Sequence, residues 1–235
     1  YAGVEIVVTL GVESRCSQAI GNIYADNPQG IADVIYLPVR STSDEKSIGI
    51  ALHLRLRQIC LIARELDPAI AELEAVLGIT TCHRDPAVKK FGLVNALQPI
   101  GNNFLEVVAP FRENTAAGRY LERRDGVGGY MVITQCDDVA SRQARCEALG
   151  VRVINHMRYD NYEGLQLHPR DTGGAILETS CSSGNGAPDG PWHPAGTAWQ
   201  NSVRTDRITG ITAAELQSDD PPGLAARWGN ILAVK

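Results

Sequence analysis

Asn102-Asn103-Phe104-Leu105-Glu106-Val107-Val108-Ala109-Pro110 sets a single acid inside an apolar strand. Side chains of a strand alternate between two faces, so Phe104, Glu106 and Val108 share one and Leu105 and Val107 the other. A carboxylate among such neighbours is costly unless it is paired or hydrogen-bonded, which makes Glu106 the residue to explain. Further along, Gly174-Ala175-Ile176-Leu177-Glu178-Thr179 again ends an apolar strand with an acid. Two acids at matching places predict a repeated unit.

Working outward from Glu106, the preceding segments complete that unit. Residues 54–63 alternate, with Arg57, Ile59, Leu61 and Ala63 on one face and Leu56, Gln58, Cys60 and Ile62 on the other, which predicts a strand. Asp67 and Pro68 are placed as N-cap and first helical residue of a helix that Gly78 ends. Strands are expected at residues 80–83, 91–99 and 104–109, so the order is β-α-β-β-β. After a short helix at 114–124 the order repeats: a strand at 130–136, a helix started by Asp137 and Asp138 and ended by Gly150, and strands near 151–159, 164–168 and 175–179. The fold class expected is α+β, with repeated β-α-β-β-β units forming cupped mixed sheets and helices on the outer face.

Both ends look like incomplete units. Residues 4–9 read as a strand, 13–25 as a helix, 32–39 as a strand and 40–47 as a polar linker. Residues 208–216 and the Asp219-Asp220-Pro221 helix start resemble the opening of a unit, with Trp228 in the helix. The division is therefore 1–50 as the later part of a unit, 51–181 as a complete module, 182–203 as a linker whose Trp192 and His193 either close over the cup or anchor the linker, with Trp199 beside them, and 204–235 as the opening strand and helix of a further unit. Each end alone leaves an apolar face and a sheet edge uncovered. Either the two ends meet in one chain as a permuted module, which we favour, or they pair between chains in a homodimer. In either case, strand 4–9 belongs to the same sheet system as strand 208–216.

Composition narrows the partners. At 235 residues and 44% hydrophobic, the chain is long enough to bury a sizeable core. A net charge of −5 with no Lys/Arg cluster argues against a phosphate-tracking surface, so neither nucleic acid nor an anionic membrane is expected. No stretch has the roughly 20 apolar residues of a membrane span, and no charged region followed by an apolar run marks a signal peptide. The six cysteines lack CxxC spacing, which favours a reducing, cytoplasmic setting.

The chain resembles the vicinal oxygen chelate superfamily, the glyoxalase and bleomycin-resistance-like fold. The residues carrying the likeness are Leu56 to Leu61 through Leu66-Asp67-Pro68, Val76-Leu77-Gly78, Asn103 to Val107, Gly128 to Asp138, and His168 to Ala175 through Glu178. The resemblance implies a cup made by two units and a divalent metal (Zn, Mn, Mg, Ni or Fe) held by one ligand from the first and one from the last strand of each. Carried over by position, these places are Gln58, Glu106, Met131 or adjacent Tyr130, and Glu178. Gln58, Glu106 and Glu178 are oxygen ligands suited to such ions; the third place departs from the family, where His is common.

Three functions remain open. The resemblance implies a small-molecule lyase or isomerase, with Glu106 and Glu178 catalytic and a metal chelating adjacent substrate oxygens. The alternative is a metal-free binding or resistance protein whose cup, lined by Phe104, Val108, Tyr130 and Met131, sequesters a small molecule; His168 is a further substrate-binding candidate, and completes the metal site if its strand turns it into the cup. The third is a non-catalytic interaction module, favoured if side chains fill the cup. Glu106 paired with Arg57 or Arg170, or bonded to Asn102 or Asn103, is the purely structural reading of that acid.

Overall fold

A computed structural model describes residues 5–12, 54–124, 126, 128–184 and 186–234. The helix expected at 13–25, the strand at 32–39 and the linker at 40–47 lie outside the described residues. In chain order the elements are β1 (Glu5–Val12), β2 (Leu54–Ile62), α1 (Leu66–Leu77), β3 (Leu93–Ile100), β4 (Asn103–Pro110), α2 (Ala116–Arg124) and β5 (Gly128–Cys136). There follow α3 (Val139–Ala148), β6 (Val153–Tyr159), β7 (Tyr162–Leu167), β8 (Ile176–Ser182), β9 (Ile208–Gln217) and α4 (Pro221–Leu232).

Seven strands form one curled, mixed sheet in the order β3-β4-β2-β5-β8-β7-β6. Its centre is the antiparallel pair β2–β5; β4 lies parallel to β2 on one side and β8 parallel to β5 on the other. This arrangement places the strands that carry Glu106 and Glu178 in equivalent positions. The fold is α+β, as the alternation and the repeat predict.

One strand is shorter than expected. Residues 80–83 are reduced to an isolated bridge, in which Cys82 donates to the Leu97 carbonyl (2.8 Å) and Leu97 to the His83 carbonyl (2.9 Å). The reason lies in the next residues: Asp85 accepts from the Ala87 amide (2.8 Å) and Pro86 opens a 3-10 helix to Phe91, so the chain turns before a strand can extend. Gly92 closes that turn, and β3 starts at Leu93 rather than at 91.

Alternation along β4 divides the core as its sequence predicts. Leu105 joins Ile59, Val132 and Leu177 in one apolar cluster, and Val107 packs with Leu66 and Ile70 of α1. Phe104 and Val108 face the other way, into the cup, with Cys60, Ile62, Met131 and Ile133. The helix-side cluster is completed by Ile211, Leu216, Leu224 and Trp228 of β9 and α4. The Trp228 indole donates to the Thr172 carbonyl (2.8 Å), and Arg227 Nε donates to the Asp171 carbonyl (2.9 Å), which ties α4 to the turn before β8. A two-stranded antiparallel sheet pairs β1 with β9, from Glu5 opposite Gln217 to Val12 opposite Ile208. Among the described residues, no helix is long and apolar enough to cross a membrane, and Cys60, Cys82, Cys136, Cys146 and Cys181 are free thiols.

The expected faces of β2 need one correction. A bulge between Leu56 and Gln58 leaves Arg57 without a partner on β5, and such a bulge shifts every earlier side chain by one position. Leu56 consequently joins Ile59 in the helix-side core, while Arg57 lies over the rings of Phe104, Trp192 and Trp199. A second bulge between Cys60 and Leu61 sets aside Tyr130 of β5. Each bulge immediately precedes one of the two equivalent central-strand positions, Gln58 and Met131.

Candidate functional site

The cup is built from alternate residues of its strands. In register across the sheet, Cys60 stands between Glu106 and Met131, and Gln58 lies between Phe104 and Ile133, whose other neighbour is Glu178. Glu106 and Glu178 are both buried, at 7% and 2% exposure.

Glu106 is held by two amides that cannot turn round. The Asp85 backbone N–H donates to Asn95 Oδ1 (2.8 Å), which leaves Asn95 Nδ2 to meet Glu106 Oε1 at 2.7 Å. The Trp192 indole N–H donates to Gln58 Oε1 (2.7 Å), which leaves Gln58 Nε2 to meet Glu106 Oε2 at 2.8 Å. A backbone or indole N–H is only ever a donor, so both amide orientations are fixed from behind. Glu106 therefore receives a donor on each oxygen. Burial pushes its pKa above the ordinary value, against the opposing pull of Asn95, the Cys60 thiol and Gln58.

Glu178 is held differently. Oε1 accepts from Tyr162 Oη (2.5 Å) and Ser180 Oγ (2.6 Å), and Oε2 from Gln166 Nε2 (2.9 Å). Gly164, beside Ser180 in the ladder, leaves room for this cluster: a Cβ there would lie 2.6 Å from Ser180 Oγ and 3.3 Å from Glu178 Oε1. Burial raises the Glu178 pKa as well, opposed by the bonds from Ser180, Tyr162 and Gln166. Its two hydroxyl partners can rotate and so can accept as well as donate.

The segment after β8 closes the cup. Trp192 (1% exposed) lies nearly parallel to Phe104 at 6.5 Å and edge-on to Tyr162 at 5.6 Å, while Trp199 meets Phe104 edge-on at 5.0 Å. His193 stacks on Tyr159 and Tyr162. Two arginines hold this segment by its carbonyls. Arg55 donates to Ala187 and Pro188 (3.0 and 3.1 Å), and Arg57 to Pro188 and Gly190 (2.6 and 3.0 Å) and to Asn102. Burial lowers their pKa values to about 10 and about 9, with Arg55 adding to the effect on Arg57 and Asp189 opposing both. This segment thus plugs the cup.

Of the residues singled out from sequence, Gln58, Phe104, Glu106, Val108, Met131 and Glu178 come together in the cup, with Tyr130 half-buried beside them, edge-on to Tyr120 at 5.2 Å. His168 does not join the acids: it lies just beyond β7, and its Nδ1 accepts from the Arg170 amide (3.1 Å) in its own turn. Neither Arg57 nor Arg170 pairs with Glu106. Asn95, Tyr162, Gln166 and Ser180 were missed, although period-two reading exposes them. Asn95 shares a face with Leu93 and Leu97, Tyr162 with Gln166, and Ser180 with Glu178.

The residues in place do not fit a divalent cation. All four carboxylate oxygens and Gln58 Oε1 already accept hydrogen bonds, and Gln58 turns its N–H donors, not its oxygen, towards Glu106. Met131 supplies a thioether where a hard ion needs oxygen or nitrogen. Among the described residues no group of three or more His, Cys, Asp or Glu is placed to hold a metal.

Comparison with known proteins gives one family: the model of the glyoxalase-like domain matches residues 59–232. No curated protein matches the chain. Among solved structures, a variant of Streptomyces coelicolor methylmalonyl-CoA epimerase in complex with 2-nitronate-propionyl-CoA is 24% identical, with a TM-score of 0.51 over 57% of this chain and 100% of that one. A methylmalonyl-CoA epimerase in complex with methylmalonyl-CoA and NH4+ gives the same identity and score over 57% and 98%. A hypothetical protein of Bacillus halodurans is 18% identical, with a TM-score of 0.50 over 57% and 98%. At these identities the likeness is one of fold.

Proposed function

Because the chain belongs to the glyoxalase-like domain family, we propose that its cup is a small-molecule site of isomerase type that moves a proton at a carbon beside a carbonyl, with Glu106 and Glu178 as the pair that carries it. The observation behind this reading is the pairing itself: two buried acids on equivalent strands share one face of the sheet, and burial raises both pKa values. An acid so shifted is a stronger base than an exposed carboxylate and holds a proton closer to neutral pH.

Their partners divide the roles. The fixed amides of Asn95 and Gln58 favour the anion of Glu106, which suits it to remove a proton. Tyr162 and Ser180 can donate to the Glu178 anion or accept from its acid, which suits Glu178 to hold a proton and return it. Removal by one acid and return by the other, from opposite sides, inverts the carbon. Inversion is also what the names of the solved epimerase relatives denote, so methylmalonyl-CoA is the first substrate to try.

The test is solvent deuterium incorporation at the acidic carbon in D2O, followed by NMR. Glu106→Gln and Glu178→Gln should each slow incorporation by at least a hundredfold. Incorporation at the wild-type rate in both variants would overturn the assignment. A second reading, a metal-free binding or resistance protein, draws support from the Trp192 plug; saturable binding without exchange of any carbon-bound proton would favour it.

A further inference from the structure

The plug shows what the cup recognises. Trp192 is a flat aromatic group whose N–H meets an acceptor, Gln58 Oε1 (2.7 Å), while Phe104 lies nearly parallel to it and Tyr162 meets it edge-on. The Arg57 guanidinium carbon lies 5.5 Å from the indole centroid. Arg57 is fully buried, yet it is satisfied by neutral carbonyls, those of Asn102, Pro188 and Gly190, and its Nε has no partner. Among the described residues no carboxylate is hydrogen-bonded to Arg55 or Arg57. A buried guanidinium is better matched by a carboxylate, which takes two parallel N–H bonds and supplies the opposite charge.

We propose that residues 186–203 form a lid, that Trp192 is the resident ligand of the cup, and that the molecule displacing it is an aromatic carboxylic acid. Its ring takes the place of the indole between Phe104 and Tyr162. Its carboxylate takes the Arg57 hydrogens now bonded to Pro188 and Gly190. In an arylacetate or 2-arylpropionate, the acidic carbon lies between the two groups so recognised. The inference rests on the cup being a small-molecule site and does not depend on proton transfer.

Calorimetric titration with indole-3-acetate and its neutral counterpart 3-methylindole tests it. Trp192→Ala should bind indole-3-acetate at least tenfold more tightly than the wild type, and at least tenfold more tightly than it binds 3-methylindole. Adding Arg57→Met should remove that preference for the acid. Affinity no higher than wild type in Trp192→Ala, or equal affinity for the acid and the neutral compound, overturns the proposal. Should Trp192→Ala fail to fold by thermal melting, Trp192→Phe, which keeps a ring but loses the bond to Gln58, should show at least a threefold gain; no gain there overturns it equally. The two readings separate cleanly, since tight binding without deuterium exchange sinks only the proton transfer, and exchange without a gain in Trp192→Ala sinks only the lid.

Discussion

Glu106 and Glu178 occupy equivalent strands, but the donors that hold them set different tolerances. A glutamine at position 106 presents an NH2 group to Asn95 or Gln58, and neither amide can reverse, because the Asp85 amide and the Trp192 indole fix them. A glutamine at 178 meets Tyr162 and Ser180, whose hydroxyls can turn to accept. Leaving one buried donor unsatisfied costs about 1–3 kcal/mol, so Glu106→Gln should be less stable than Glu178→Gln by about that amount in urea unfolding; equal stabilities would refute the fixed-amide account. The same acids set a pH dependence. Both have folded pKa values above the ordinary 4.5, so the folded state binds their protons more tightly than the unfolded one. Their contribution is complete below the unfolded value and is lost as pH rises through the folded value. The stability of the wild type relative to Glu178→Gln should therefore fall as pH rises above 4.5, a decline that paired urea titrations across that range would reveal.

Helix starts show how far local sequence signals reach. Asp220 and Asp138 cap α4 and α3, accepting from the Gly223 (3.0 Å) and Ser141 (3.2 Å) amides, as the acid-rich starts predict. Asp67 does not cap α1: the N-cap is Glu65, without a side-chain bond, and Asp67 instead meets exposed Arg84 at 2.7 Å. The Asp-Pro pair looks alike at both places, yet α1 begins at Leu66, and the buried side chain there packs against Val107 and Ala96. Packing thus outweighs the cap. Asp220→Ala should cost about 1 kcal/mol, whereas Asp67→Ala loses only an exposed ion pair, worth about 0–1 kcal/mol; denaturation midpoints of the two variants give the comparison. Their order reversed would place the helix start elsewhere.

At the scale of the molecule, the seven-stranded sheet meets the β1–β9 pair through a turn. Gly101, between β3 and β4, has φ 57°, and a Cβ there would lie 2.5 Å from the Thr209 carbonyl of β9. Glycine meets both demands, since it has no Cβ and enters the left-handed region without strain. Gly101→Ala should therefore destabilise the whole chain by at least about 1 kcal/mol, seen as a lower urea midpoint with an unchanged slope. A midpoint equal to wild type would show that the two sheets are not in register contact there. We propose, further, that residues 1–50 and 204–235 are parts of one permuted module, a reading that the β1–β9 pairing supports.

What the sequence determined by itself is local and periodic. Alternation in residues 102–110 put Phe104, Glu106 and Val108 on one face, the repeat placed Glu178 in the equivalent strand, and both follow from strand geometry, which each residue obeys whatever lies around it. Tertiary structure decided the rest, because it depends on residues far apart in the chain. The bulge at Arg57 is invisible to a strict two-residue period, since it exists only against β5. The reversal of His168 into its own turn follows from where β7 ends. The partners of Glu106, Asn95 and Gln58, are oriented by Asp85 and by Trp192, and Trp192 lies well beyond the second acid in sequence. A segment rich in glycine and proline reads as a connection from its composition; only the curl of the sheet, which brings residues 186–203 over both acids, makes it the filling of the cup.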